Sequence, residues 1–329
     1  MPFGDFPLAS QCQFASNDFD AMHRQLCSVL KPHRLRRLSN VPVSGVICRA
    51  SLKRTSINFL SIGPSVDVLP GALEHFFLVQ VPIRGTVHID LGSEQIRCEG
   101  NTAAVISPGE RLALRWSDGC AQLILQIPRE TMQARLAERI GWKRQAPLKF
   151  RPILDLGQGA GREWLKIVEL AVQSVDGAGV LSRDPLCGDL EDLLVSALLT
   201  MQPHSHSDTL RDNESRPAPY YVLRAERAMR EQMALPLNVA RLAKAAGVSA
   251  RTLYDGFHRF RTTTPMGRLA DLRLAAARRR MLEAKPGTTV ARVAASVGFH
   301  QFGRFAKAYR DAFGELPSAT LRKAHRRNA

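Results

Sequence analysis

The rhythm of hydrophobic and polar positions changes twice along this 329-residue chain. From about residue 43 to 128, short apolar or alternating runs recur at 46–50, 57–62, 76–83, 87–91, 103–106, 112–116 and 121–127, with Gly and Pro between them. Runs spaced by roughly 8–12 residues predict an antiparallel sandwich or small barrel over 43–128, with an interior able to hold a small molecule. Upstream, 18–30 has helical spacing through Met22, Leu26 and Leu30 and stops at Pro32. Beyond Pro128 the period turns helical over 129–140, 161–175 and 190–201. The stripe Leu190, Leu193, Leu194 and Leu198 suits either a dimer seam or packing within the same subunit.

Residues 203–219 are polar and read as a linker, with His204 and His206 as part of the tether rather than metal ligands. The predicted fold class is therefore α+β. A cupin-like β-barrel domain with helices spans 1–202, and an all-α domain spans 220–329.

In the all-α part, the pattern of a short apolar helix, a glycine turn and a second helix occurs twice, at 238–260 and 290–313. In the first unit Asn238 caps a scaffold helix with Val239, Leu242, Ala243 and Ala246 inward, and Gly247 makes the turn. Ser249 then caps a second helix with Leu253, Phe257 and Phe260 inward. This leaves Arg251, Thr252, Asp255, His258 and Arg259 facing out. A helix from 220 to 233 packs with Val222, Leu223 and Met229, and Thr264-Pro265 opens a basic helix that ends at Pro286-Gly287. Its roughly 20 residues span about 30 Å, close to one turn of B-DNA. Arg278, Arg279 and Arg280 on it are candidates for phosphate contacts or for plain solvation. In the second unit Phe299, Phe302, Phe305, Tyr309 and Phe313 are expected to form an aromatic core. His300, Gln301, Arg304, Lys307 and Arg310 face out, with Arg251 and Arg304 placed to read bases.

Charge agrees with that division. Residues 217–329 hold 22 Lys+Arg against 7 Asp+Glu, whereas the first 216 hold 24 against 23, so nearly all of the net +16 lies beneath the double motif. That is the electrostatic footprint of a nucleic-acid-binding module joined to a neutral domain. Cys12, Cys27, Cys48, Cys98, Cys120 and Cys187 are scattered, with no CxxC pair. We therefore expect reduced thiols in a cytoplasmic protein with no metal, no cofactor, no catalytic residues and no membrane span.

The run GFHQFGRFAKAYRDAFGELPSATLR (298–322) resembles the second helix-turn-helix of AraC/XylS-type bacterial regulators, through Gly298-Phe299, Phe305, Phe313-Gly314 and Pro317. The first unit resembles the family through Ala243, Gly247, Ser249, Leu253, Phe257 and Thr264-Pro265, and the long helix through Arg273, Ala277 and Arg278. The GRFA…FGELPS form is most similar to the XylS branch. The resemblance implies a cytoplasmic, homodimeric activator of a catabolic operon that binds double-stranded promoter DNA, contacts RNA polymerase and answers to a small effector, with an aromatic acid as the candidate. Arg49, Arg84, His88 and Trp116 are the effector-binding candidates. Three departures stand out: Arg261 where relatives carry glycine nearby, Gly256 within a helix, and Asp255 on an outward position. Two alternatives remain. One is a non-specific architectural protein, and the other is a cupin-type enzyme with an appended DNA-binding domain, for which only His88 with Asp90 offers ligands.

Overall fold

The computed structural model describes residues 6–140, 146–177, 186–214, 218–261, 263–285 and 287–327. It divides into two compact units, 1–135 with 147–207, and 136–146 with 208–329.

Twelve strands are found among the described residues of the first unit: β1 (Cys12–Ser16), β2 (Arg34–Arg37), β3 (Gly45–Ser51), β4 (Ser56–Ser61), β5 (Val66–Leu69), β6 (Phe76–Arg84), β7 (Val87–Asp90), β8 (Gln95–Cys98), β9 (Thr102–Ile106), β10 (Ala113–Trp116), β11 (Ala121–Pro128) and β12 (Ile153–Asp155). They form two open antiparallel sheets, ordered β1-β3-β4-β11-β6-β9-β12 and β2-β5-β10-β7-β8. The fold is thus a cupin-like double sheet rather than one sheet closed on itself. All seven expected runs are strands. The sheet edges β1, β2, β8 and β12 went unforeseen, as did β5. An edge strand with one hydrogen-bonded neighbour needs no apolar run of its own, as the sequence RLRR of β2 shows.

Alternate residues of both sheets meet in one core. Ile47, Leu60, Leu78 and Ile124 come from the larger sheet, and Val68, Ile89, Leu114 and Trp116 from the smaller, joined by Met22 and Leu26 of helix α1 (Phe19–Val29). Asp18 caps α1 by accepting from the Ala21 amide at 2.6 Å. Within this core the larger sheet carries a polar row. Ile124 pairs across β11 with Asn58 on one side and Gln80 on the other, while Gln122 and Gln126 lie two residues away on the same strand. Because strand side chains alternate with period two, all four amides share the inner face with Ile124.

Three further helices, α2 (Arg129–Ile140), α3 (Gly159–Asp176) and α4 (Leu186–Met201), match the expected helical periods. Leu190, Leu194 and Leu198 are buried and Trp164 Nε1 donates to the Leu194 carbonyl at 3.1 Å, so that stripe packs within its own unit. Leu193 alone of the four is exposed.

The expected linker is structured for most of its length. The amide of Arg151 donates to the Pro203 carbonyl and that of Ser205 to Lys149, both at 2.8 Å, and α5 (Ser207–Glu214) follows. Backbone pairing there supplies what apolar side chains do not. His204 is held by the Leu199 carbonyl (2.9 Å) and stands edge-on to Phe150, with ring centroids 5.3 Å apart. Residues 215–217 fall outside the described residues.

The second unit is helical: α6 (Tyr220–Glu231), α7 (Val239–Ala246), α8 (Ala250–Arg261), α9 (Pro265–Leu282), α10 (Val290–Ser296), α11 (Phe302–Phe313) and α12 (Pro317–Arg327). It has two cores, one for each helix-turn-helix. The first gathers Val222, Met229, Leu242, Leu253, Phe257 and Leu269, and the second Leu274, Met281, Val293, Val297, Phe305 and Tyr309. Helix α9 contributes to both and joins them. Leu223, expected inside, is exposed. Pro286, expected at the end of the linking helix, lies outside the described residues.

Candidate DNA interface and effector cavity

Local chemistry sets the two reading helices. Asn238 Oδ1 accepts from the Arg241 amide at 2.9 Å, which starts α7, and Gly247 ends it at φ 74°. Ser249 Oγ accepts from the Thr252 amide at 3.0 Å, which starts α8. Thr264 and Thr289 cap α9 and α10 in the same way, by accepting from Gly267 and Arg292. Gly298, at φ 86°, turns the chain from α10 towards α11, and a Cβ there would lie 2.6 Å from the Met233 carbonyl oxygen. Arg273 donates to that same carbonyl (3.0 Å) and to that of Leu235 (2.7 Å), clamping the chain after α6.

Helix α8 buries Leu253 and Phe257 and exposes Arg251, Thr252, Tyr254, Asp255, His258 and Arg259. Helix α11 buries Phe305 and Tyr309 and exposes Phe302, Gly303, Arg304, Lys307 and Arg310, with His300 and Gln301 exposed just ahead of it. All ten predicted contact residues therefore lie on the solvent side of their units. Thr252 is partly committed, since its hydroxyl lies 2.8 Å from Ser249 Oγ within the cap.

Three sequence expectations change. Phe302 is not core but 50% exposed. It opens α11, and helical side chains lean towards the N-terminus, so this ring projects beyond the aromatic stack of Phe305, Tyr309 and Phe313. Phe260 is only half-buried, with the Arg259 guanidinium 5.4 Å from its ring centre. Arg278 is no surface arginine: it is buried, stacked 4.5 Å above Phe313 and paired with Glu315 at 3.4 Å. Arg280 is engaged with the Ser296 carbonyl at 2.8 Å, whereas Arg279 is exposed. Tyr254 was missed as an outward residue. Its position next to Asp255, away from the Leu253–Phe257 stripe, was the available signal.

In the first unit a small cavity lies between α1 and the two sheets, with Leu26, Leu73, Phe76, Leu78 and Trp116 in its wall. Trp116 is the one effector candidate that lines it. Arg49 Nη1 donates to the Val29 carbonyl at 2.7 Å, which makes it a structural clamp. Arg84 and His88 are exposed, and His88 sits in register between Arg97 and Arg115 across neighbouring strands. Sequence reasoning missed His33 and Gln80, which also line the cavity. Burial pushes the His33 imidazole below its ordinary value, which favours the neutral ring.

The same histidine belongs to a cluster with His23 and Cys27, whose ligand atoms lie within 4.8 Å of one another. His23 and Cys27 are one helical turn apart on α1, so the expectation that no cysteine has a matching histidine spacing does not hold here. Each imidazole already bonds a backbone carbonyl, His23 Nε2 that of His33 and His33 Nδ1 that of Lys31, both at 2.8 Å.

The profile of the AraC-binding-like domain matches residues 22–199, and that of a helix-turn-helix domain matches 242–323. The "Probable thc operon regulatory protein" of Rhodococcus erythropolis is 30% identical over 316 residues, covering 94% of this chain and 95% of its own. The chain belongs to the AraC/XylS family.

Other AraC/XylS-family relatives include the "XylDLEGF operon transcriptional activator 1" of Pseudomonas putida, 26% identical over 266 residues and 80% of both chains. A solved AraC-family structure from Rhodopseudomonas palustris CGA009 is 34% identical, covers 32% of this chain and 99% of its own, and superimposes with a TM-score of 0.31. The chain is accordingly a DNA-binding transcriptional regulator with an N-terminal effector-binding domain. No helix among the described residues is long and apolar enough to cross a membrane.

Proposed function

We propose that this regulator is a homodimeric, effector-responsive activator of a catabolic operon. In this reading α8 and α11 enter two successive major grooves of promoter DNA, and the complex engages RNA polymerase in the cytoplasm. The observation that carries it is the pair of recognition helices, each with a basic exposed face, on the two cores that α9 joins. An 18-residue helix such as α9 is about 27 Å long, which suits two reading heads on one side of a duplex. Arg251 and Arg304 are the base readers, through bidentate bonds to guanine, and Lys307, Arg310, Arg259 and Arg279 meet phosphates. The names of the relatives, an operon activator and an operon regulator, support activation of an operon here. For the dimer, the exposed Leu193 on α4 offers an apolar contact outside the buried stripe.

The test is to sequence the genomic fragments that the purified full chain retains at about 150 mM salt, where non-specific binding is weak. A few promoter fragments with half-sites one helical turn apart are expected. Diffuse recovery across the genome would overturn the reading.

A further inference from the structure

The cavity in the first unit has an apolar wall, yet three of the residues that line it each hold a buried polar atom with no hydrogen-bond partner among the described residues: Trp116 Nε1, Gln80 Oε1 and His33 Nε2. Trp116 and Gln80 are 3% and 1% exposed, so water reaches them poorly from outside. Unpartnered buried polar atoms are costly, and a fold retains them where something else completes the bonds. Their chemistry says what that is. The indole Nε1–H can only donate. His33 Nδ1 faces the Lys31 carbonyl at 2.8 Å, and a carbonyl only accepts, so Nδ1 carries the proton and Nε2 of the neutral ring is left as an acceptor. Gln80 Oε1 is a second acceptor.

The surroundings match this. The inner face of the larger sheet presents the amides Asn58, Gln80, Gln122 and Gln126 around Ile124, of which Gln80 lines the cavity, and the charge of Arg49 beside Asn58 is engaged by the Val29 carbonyl. Among the described residues that line the cavity Lys31 is the one permanently charged, and its Nζ donates to the Ala72 carbonyl at 2.8 Å. A carboxylate buried against two acceptors and one donor would lose its hydration without a counter-charge. A hydroxyl group both donates and accepts, and so does a primary amide.

We infer that the cavity takes a small, uncharged and largely apolar molecule bearing a hydroxyl or primary amide, whose oxygen accepts from Trp116 and whose hydrogen goes to His33 or Gln80. This inference rests on the effector-domain reading above and replaces the aromatic acid by a neutral relative.

Calorimetric titration of the full chain with benzyl alcohol, phenol and benzamide, beside benzoate and phenylacetate at one neutral pH, tests it. At least one neutral probe should bind one per chain. It should bind about tenfold more weakly to Gln80→Leu and to Trp116→Phe, the loss expected for one hydrogen bond. The Trp116→Phe variant keeps a ring in the wall and removes the N–H, so it serves if Gln80→Leu fails to fold. Tighter binding of the carboxylates, lost in Lys31→Gln, overturns the ligand class and leaves the effector reading standing. Failure of every neutral probe, or unchanged affinity in both variants, also overturns it. The effector reading itself is judged separately, in a reporter fused to the retained promoter. Expression that no small molecule alters sinks that reading, whatever the titrations give.

Discussion

Arg261 grips Glu226 with both arms of its guanidinium, Nε at 2.9 Å and Nη2 at 3.1 Å from the two carboxylate oxygens. Arg268 adds a third bond to the same carboxylate at 2.9 Å, and Glu226 is almost fully buried. The arginine that stood out as a family departure therefore ties the end of α8 to α6, and α9 joins through Arg268. Removing one member of a buried ion group strands the others, at a cost of about 3–5 kcal/mol. Glu226→Gln should lower the stability of the DNA-binding unit by about that amount in urea denaturation. Arg261→Gly should cost less, because Arg268 still neutralises the carboxylate.

The same group makes an acid-sensitive element. Burial alone would raise the Glu226 carboxyl, but Arg261 and Arg268 outweigh it and hold it below the usual carboxylate range. Its folded value thus lies under its unfolded one, about 4.3. The stability it contributes is complete above that range and is lost as pH falls through the folded value. Denaturation midpoints followed from pH 6 to about 3 should drop more steeply for the parent than for Glu226→Gln. Parallel curves would show that the pair has no such role.

Gly298 cannot take a side chain cheaply. Its φ of 86° is unfavourable for other residues, and a Cβ would meet the Met233 backbone oxygen, which Arg273 holds in place. Gly298→Ala should destabilise the second helix-turn-helix by about 1–3 kcal/mol. Gly256 differs: its φ is ordinary and a Cβ would meet the Tyr221 ring at 2.6 Å, so the glycine makes room for α6. A thermal melt comparing the two alanine variants will separate backbone strain from a clash that a half-buried ring can relieve.

On DNA, Arg251→Ala and Arg304→Ala should each cost about 1–3 kcal/mol on the specific site and relax selectivity at one base pair. Asp255→Asn should act the other way and tighten binding, most visibly at low salt, since it removes a negative charge from the face set towards phosphates. Mobility-shift titrations at two salt concentrations measure both. Unchanged affinity for all three would remove α8 and α11 from the interface.

Phe302→Ala should leave stability within about 0.5 kcal/mol, as for other exposed positions. Its affinity for the specific site should nevertheless fall, because a ring at the start of a recognition helix can pack on a thymine methyl. A large loss of stability instead would return Phe302 to the core.

Most of the DNA-binding unit was legible beforehand. Its caps at Asn238, Ser249 and Thr264, its turn glycines and its i, i+4 stripes are all set by residues within one helical turn of each other. The errors fell on Phe302, Phe260, Leu223 and Arg278, and for Arg278 the neighbours that decide exposure come from outside its own helix. Arg278 looked like a solvated cation until α12 and the loop before it placed Glu315 beside it.

The effector domain shows the same boundary more sharply. Local sequence alone determined that 43–128 is strand-rich, that helices follow, and that the basic charge belongs to the last third. Those properties depend on period, capping and composition, which neighbours in the chain carry. Only the tertiary structure decided which strands face which, and so brought His33, Gln80 and Trp116, from a loop and two sheets, into one cavity. It also put Arg84 and His88 outside. A continuous apolar run such as 121–127 does not reveal which of its faces turns inward, because pairing register, set by strands distant in sequence, makes that choice.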